Sequence, residues 1–127
     1  MVEITVVLVI VGLIAQFAFP RYADTVRDMQ LDGATHKLAS DLRRARIEAM
    51  RRNTSVYVAK KDSVTYEIQY VGDRKLPSDV VFNGSSPDTV RFASFGLTLT
   101  GPVTYSLSLG GYSTTVFVEA SGMAVVE

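Results

Sequence analysis

Residues 1–20 read MVEITVVLVIVGLIAQFAFP, an almost unbroken apolar run that carries one carboxylate, Glu3, and closes at Pro20. Between positions 4 and 19 only Thr5 and Gln16 are polar, and Val, Ile and Leu dominate. A soluble domain does not need such a segment, so hydrocarbon is its expected solvent. As a helix, positions 4–19 extend about 24 Å at 1.5 Å per residue, a little short of a bilayer core of about 30 Å. Pro20 cannot donate to the preceding turn and crowds the carbonyl four residues back, which predicts a kink between Gly12 and Pro20.

Helical periodicity resumes beyond the proline. Leu31, Ala34, Leu38, Leu42, Ala45 and Ala49 recur at steps of three and four, with Lys37, Asp41, Arg44, Glu48, Arg51 and Arg52 off that stripe. The spacing predicts one long helix over about 2–52 whose second half is covered by protein. Lys37 with Asp41, Arg44 with Glu48 and Glu48 with Arg52 stand at i,i+4, where each pair adds a few tenths of a kcal/mol.

After Asn53 the period changes to alternation and short β-branched runs divided by Gly, Pro, Asn, Asp and Ser. Strands are expected over 55–59, 65–70, 80–82, 90–93, 97–99, 104–109, 112–119 and 123–126. Lys61-Asp62-Ser63 and Gly110-Gly111 read as hairpin turns, the glycine pair permitting positive φ at both central positions, and Ala120-Ser121-Gly122 reads as a further reversal. Strands this short form two small sheets or one curled sheet against the Leu38, Leu42, Ala45 stripe. The predicted fold class is α+β: a long N-terminal helix, hydrophobic in its first half and amphipathic in its second, packed on a C-terminal antiparallel β-rich globular head. Three zones follow: 1–20 a hydrophobic membrane helix, 21–52 the amphipathic helix, 53–127 the head.

The chain has 127 residues, 47% hydrophobic side chains and a positive mean hydropathy, which fits one small domain beyond the apolar run and argues against disorder. Formal net charge is zero, with eight Lys or Arg against five Asp or Glu in 21–52 and five against seven in 53–127. No broad basic field surrounds the head, which argues against nucleic acid as its ligand. The absence of cysteine removes thiolate metal sites, disulfides and Cys nucleophiles. No basic region precedes the apolar run and no small-residue cleavage site follows it, so a secretory leader is not expected in the sequence as it stands.

Gly12 and Pro20 stand nine and seventeen residues after Glu3, a spacing that resembles the mature N-terminus of type IV pilins and type II secretion pseudopilins. In that family Phe-Thr-Leu-x-Glu opens the mature protein. Met1 and Val2 fill the two places before the glutamate and Phe-Thr does not precede them. The expectation is a chain lacking its leader and first two mature residues, or one with residues ahead of Met1. The segment from Leu38 to Asn53, LASDLRRARIEAMRRN, is similar to the signature at the helix end of the GspH/FimT branch, and Val90-Arg91-Phe92-Ala93-Ser94-Phe95-Gly96 is similar to that branch's apolar-x-Phe-x-x-x-Gly element.

An ionised carboxylate in hydrocarbon costs several kcal/mol unless paired, so Glu3 needs a partner. The resemblance implies that Glu3, Gly12 and Pro20 serve assembly: the glutamate pairs with the N-terminal amine of a neighbouring subunit, and the stretch weakened by Gly12 and Pro20 loses helicity as subunits pack. A static kink fits the sequence equally. The resemblance further implies a helical homo-oligomer of this chain and other pilins. It also implies an inner-membrane stage before assembly, an assembly platform and a prepilin peptidase. The destination that the resemblance implies is a periplasmic or extracellular cell-surface filament, with residues 1–20 as its core helix. Major and minor subunit roles both fit, as does the different class of a membrane-anchored binding domain that never assembles.

Arg43, Arg44, Arg46, Arg51 and Arg52 invite a nucleic-acid reading, because clustered guanidiniums contact phosphates. Ion pairs to Glu48 and to acidic groups of neighbouring subunits explain them more simply. Some FimT-like minor pilins bind DNA through a C-terminal Gly-Arg-x-Arg element, and the comparable place reads Gly122-Met123-Ala124-Val125, without either arginine. His36 is the single histidine and reads as a solvated helix residue, which excludes a multi-histidine metal site. Asp62, Asp73, Asp79 and Asp88 read as turn residues, and Phe17, Phe19 and Tyr22 as packing groups between subunits. No nucleophile elbow, phosphate loop or paired-carboxylate motif is present, so no enzyme activity, cofactor or metal is expected.

Overall fold

The computed structural model describes residues 1–77, 79–84 and 86–126, and at positions 20 and 21 the backbone alone. One helix, α1 (Val2–Arg52), runs through both the apolar run and the amphipathic segment, and its 51 residues span about 77 Å. The kink expected between Gly12 and Pro20 does not interrupt its helical pattern, and the Pro20 side chain lies outside the described residues. The helix closes at Asn53, whose left-handed φ of 50° lets its N–H donate to the Met50 carbonyl while Thr54 N–H reaches back to Ala49. That is a Schellman closure, which a short polar side chain tolerates better than a branched one.

Eight strands follow among the described residues: β1 (Val56–Lys60), β2 (Thr65–Ile68), β3 (Gly72–Lys75), β4 (Val81–Phe82), β5 (Thr89–Phe92), β6 (Val103–Leu109), β7 (Tyr112–Val118) and β8 (Ala124–Val126). They form two antiparallel four-stranded sheets, ordered β3-β2-β1-β5 and β4-β6-β7-β8. At the Lys61-Asp62-Ser63 turn, Asp62 Oδ1 accepts from the N–H groups of Val64 and Thr65, both at 2.8 Å. These bonds hold its carboxyl below the usual range. Between β6 and β7 only Gly110 has positive φ, 62°, so the hairpin uses the II′ pattern rather than positive φ at both glycines.

Two strand expectations change. β3 has no counterpart among the expected strands: Gly72-Asp73-Arg74-Lys75 carries no apolar residue, yet it pairs with β2 from Thr65↔Lys75 to Ile68↔Gly72. Lys61 Nζ reaches Asp73 at 2.8 Å and Glu67 at 3.4 Å across these strands, so Asp73 is a strand residue rather than a turn residue. A charged edge strand of this kind also discourages pairing with foreign strands. The segment 97–99, read as a strand, contributes one bridge, Phe92↔Thr98, because the chain turns at Gly96 and Ala93 N–H donates to the Leu97 carbonyl.

The core lies between the predicted stripe and the inner faces of both sheets. Leu38, Leu42, Ala45 and Ala49 are fully covered, as are Val56, Tyr66 and Ile68 of the first sheet and Tyr105, Leu107, Val116 and Val118 of the second. Alternate residues point inward along β6 and β7, as a half-buried strand requires. The alanines keep α1 slim, so both sheets approach its backbone. Asp41, off the stripe in sequence, is buried too, and Tyr66 O–H donates to its Oδ2. Burial and the adjacent carboxyl push the Tyr66 phenol well above its usual pKa.

Candidate functional site

The covered and uncovered parts of α1 meet near residue 26. From Val2 to Thr25 every described side chain is exposed except Ala15, which is half-buried; Leu31 is the first core residue. No part of the apolar window is buried within the chain. Leu8, Leu13 and Phe17 are 65%, 53% and 77% exposed, and a continuous apolar surface of this length is far beyond what a soluble monomer carries. The helix is long and apolar enough to cross a membrane by length and composition. Phe19 and Tyr22 are exposed on the same segment.

Glu3 lies in the first turn of α1, where the helix dipole favours a carboxylate, and is exposed without an ion pair among the described residues. A Cβ added at Gly12 would meet nothing within 4 Å, so no contact among the described residues requires glycine there. Glu3 and Gly12 are two and a half turns apart, on opposite sides of the helix and about 13 Å apart along it. The chain alone does not bring Glu3, Gly12 and Pro20 together.

The head latches onto α1 just beyond this segment. Tyr112, at the start of β7, lies beside Asp24, and that carboxylate raises the phenol's pKa. Further along, Arg46 Nε donates to the Gly96 carbonyl at 3.0 Å. Gly122, with φ of 87°, sits so close that a Cβ there would come within 2.0 Å of that same oxygen. Gly96, with φ of 89°, faces Arg46 and Met50 at 3.1 to 3.2 Å from its own added Cβ position. Gly122 thus serves a backbone approach, a role that its sequence setting as a turn residue reveals only in part.

Most of the arginines are engaged inside the chain. Arg43 Nη2 donates to the Ala124 carbonyl of β8 at 2.9 Å, covering part of that sheet edge. Arg51 Nη2 donates to both Glu48 oxygens, at 3.0 and 2.9 Å, and Arg52 Nε to Oε2 at 3.0 Å. These bonds hold the Glu48 carboxyl below its usual range. The Arg52 guanidinium also stacks 4.5 Å above the Tyr70 ring. Glu48 therefore pairs with Arg52 as expected, but with Arg51 in place of Arg44. The expected Lys37–Asp41 pair does not form either: Lys37 Nζ donates to the Lys75 carbonyl at 3.1 Å, and Asp41 turns inward to Tyr66. His36 lies 3.4 Å from Asp32 on the solvent side. Among the described residues no group of three or more His, Cys, Asp or Glu is placed to hold a metal ion.

An apolar helix left bare by its own head, with a second half clamped between two small antiparallel sheets, defines a pilin-like subunit. The family model for the type II transport protein GspH matches residues 34–122. The chain belongs to that family, in the GspH/FimT-like branch of the type IV pilin and pseudopilin superfamily, whose members are structural proteins. The fold is similar to the crystal structure of the type IV minor pilin FimU of Pseudomonas aeruginosa, with TM-score 0.68, 15% identity and coverage of 81% of this chain and 92% of that one. A second crystal form of FimU gives TM-score 0.64, 16% identity and coverage of 76% and 92%. No curated protein matched the sequence.

Proposed function

We propose that this minor pilin- or pseudopilin-like subunit is held in the bacterial inner membrane by residues 1–20 and then assembles into a filament through the same segment. The supporting observation is the contrast within α1: the head covers the amphipathic half and leaves the apolar half bare. Lipid covers that half before assembly, and parallel helices of other copies and other pilins cover it afterwards. In this reading residues 21–52 carry the head, and residues 53–127 form the outside of a type IV pilus or type II secretion pseudopilus. An assembly platform and a prepilin peptidase act on the chain as on its superfamily. The chain works as a structural protein, without catalysis.

Glu3 gives the assembly its register. Stripped of water, its carboxylate is stabilised by the N-terminal amine of a neighbouring subunit, and misregistered packing leaves both charges unpaired. Gly12 and the proline at position 20 leave the stretch over 12–19 free to lose helicity as subunits pack. DNA binding gains no support from the arginines, since Arg43, Arg46, Arg51 and Arg52 are tied within the chain and Gly122 is committed to a backbone contact.

Glu3→Ala tests the proposal. The head keeps its thermal unfolding midpoint, while the chain disappears from sheared filaments probed by immunoblot. Incorporation at the wild-type level would defeat the role of Glu3, and a wild-type chain that never enters filaments would identify a membrane-anchored domain instead.

A further inference from the structure

We propose that the outer face of α1 around Ile47 is a docking surface for a second copy of this chain and receives that copy's helical stretch 22–32. The inference rests on the filament reading and adds which faces meet. Ile47 and Met50 are 57% and 42% exposed on α1, and Phe95 and Met123 stand exposed beside Gly96 and Gly122 on the two loops held there by Arg46. Arg44 borders this apolar ground, exposed and without a hydrogen bond or ion pair among the described residues. Earlier on the same helix Met29 is 68% exposed, and Asp28 beside it is exposed, with the Tyr112 phenol of the head in electrostatic reach of its carboxylate and no ion pair among the described residues.

The two places match in geometry as well as in charge. Met29 and Ile47 are eighteen residues apart, five helical turns, so they share one side of α1 about 27 Å apart. Within one chain they never meet; between parallel copies displaced by that distance they do. Arg44, three residues before Ile47, is rotated about 60° to one side of it, and Asp28, one residue before Met29, about 100° to the other side. When two parallel helices face each other, opposite hands fall on the same flank. The backbone positions of Arg44 and Asp28 then lie within about 3 Å of the same axial level, given the 1.5 Å rise, which is within reach of a long arginine side chain. On the other flank Gly33, with nothing within 4 Å of an added Cβ, leaves room for Met50. Such a contact joins unlike surfaces, so it leaves one of each unsatisfied at the ends and extends into an open filament.

A chain without cysteine makes the test clean. Two differently tagged full-length copies, one carrying M29C and the other I47C, are expressed together and oxidised in membranes and in sheared filaments. The mixed disulfide dimer is the expected main product, several-fold above the product of either variant alone. R44D in the I47C copy lowers its yield several-fold, and D28R in the M29C copy restores it. Predominant I47C–I47C dimers, or filaments holding both copies with no mixed dimer, overturn the inference and leave the assembly reading standing. Disulfide-linked products that hold a different pilin and never the mixed pair overturn the choice of a second copy. Absence of the chain from filaments overturns both readings.

Discussion

The two halves of α1 are one continuous helix with opposite relations to the rest of the chain. In the second half, residues spaced three and four apart are sealed at Leu38, Leu42, Ala45 and Ala49, and charged side chains fill the remaining positions. In the first half apolar residues occupy every side, and none is sealed. A helix apolar on one stripe asks for one neighbour, whereas a helix apolar all round must be surrounded. The head supplies the one neighbour, and the surrounding of the other half has to come from outside the chain.

The largest effect that sharpens this comparison comes from truncating equivalent leucines. Leu42→Ala is expected to lower the stability of the head by about 2–5 kcal/mol, whereas Leu8→Ala leaves it unchanged. Thermal unfolding of both variants in detergent reads the difference. A shift caused by Leu8→Ala would mean that the first half is covered by its own head after all.

Next comes the clamp on the second half. Gly122→Ala places a Cβ against the Gly96 carbonyl at a positive φ, and a loss of about 2–3 kcal/mol is expected from strain and overpacking. Unchanged unfolding would show that the loop can retreat without loosening α1. Tyr66→Phe removes the donor to buried Asp41 and is expected to cost about 1–3 kcal/mol in the same assay.

The smallest expected effect is a pH dependence at the end of the covered half. Arg51 and Arg52 lower the Glu48 pKa below its ordinary 4.5. Its contribution is therefore complete above that value and fades as the pH falls through the lower folded-state pKa. Glu48→Gln flattens this acid limb of the unfolding curve and leaves neutral-pH cooperativity intact. An acid limb identical to the wild type would show that the Arg pairs carry no net stability, as exposed pairs often do not.

Much of this was legible in the residues. The extent of α1, its core stripe and most of the strands follow from periodicity, because burial imposes a period of 3.6 on a helix and 2 on a strand. β3 escaped because its pairing depends on Lys61, Asp73 and Glu67 across strands, and it has no apolar residue to alternate. The segment 97–99 looked like a strand because Leu97 and Leu99 flank a β-branched residue, yet both are exposed and the turn at Gly96 leaves a single bridge. Asp41 and Arg44 were paired by helical spacing with Lys37 and Glu48, but tertiary partners at Tyr66 and a closer Arg51 took precedence. The Arg46–Gly96–Gly122 contact joins positions far apart in the chain, so local pattern could not reveal it. Glu3, Gly12 and Pro20 are legible only through the family spacing, since among the described residues nothing engages Glu3 or Gly12.

In the filament, the bare half of α1 is expected to be surrounded by other subunits. A photo-reactive amino acid in place of Leu13, activated in sheared filaments, tests it most directly. Adducts with neighbouring pilin subunits, absent from dispersed monomers in detergent, are the expected result. A chain recovered only in membranes, with its Leu13 probe attached to lipid and never to another subunit, would contradict it.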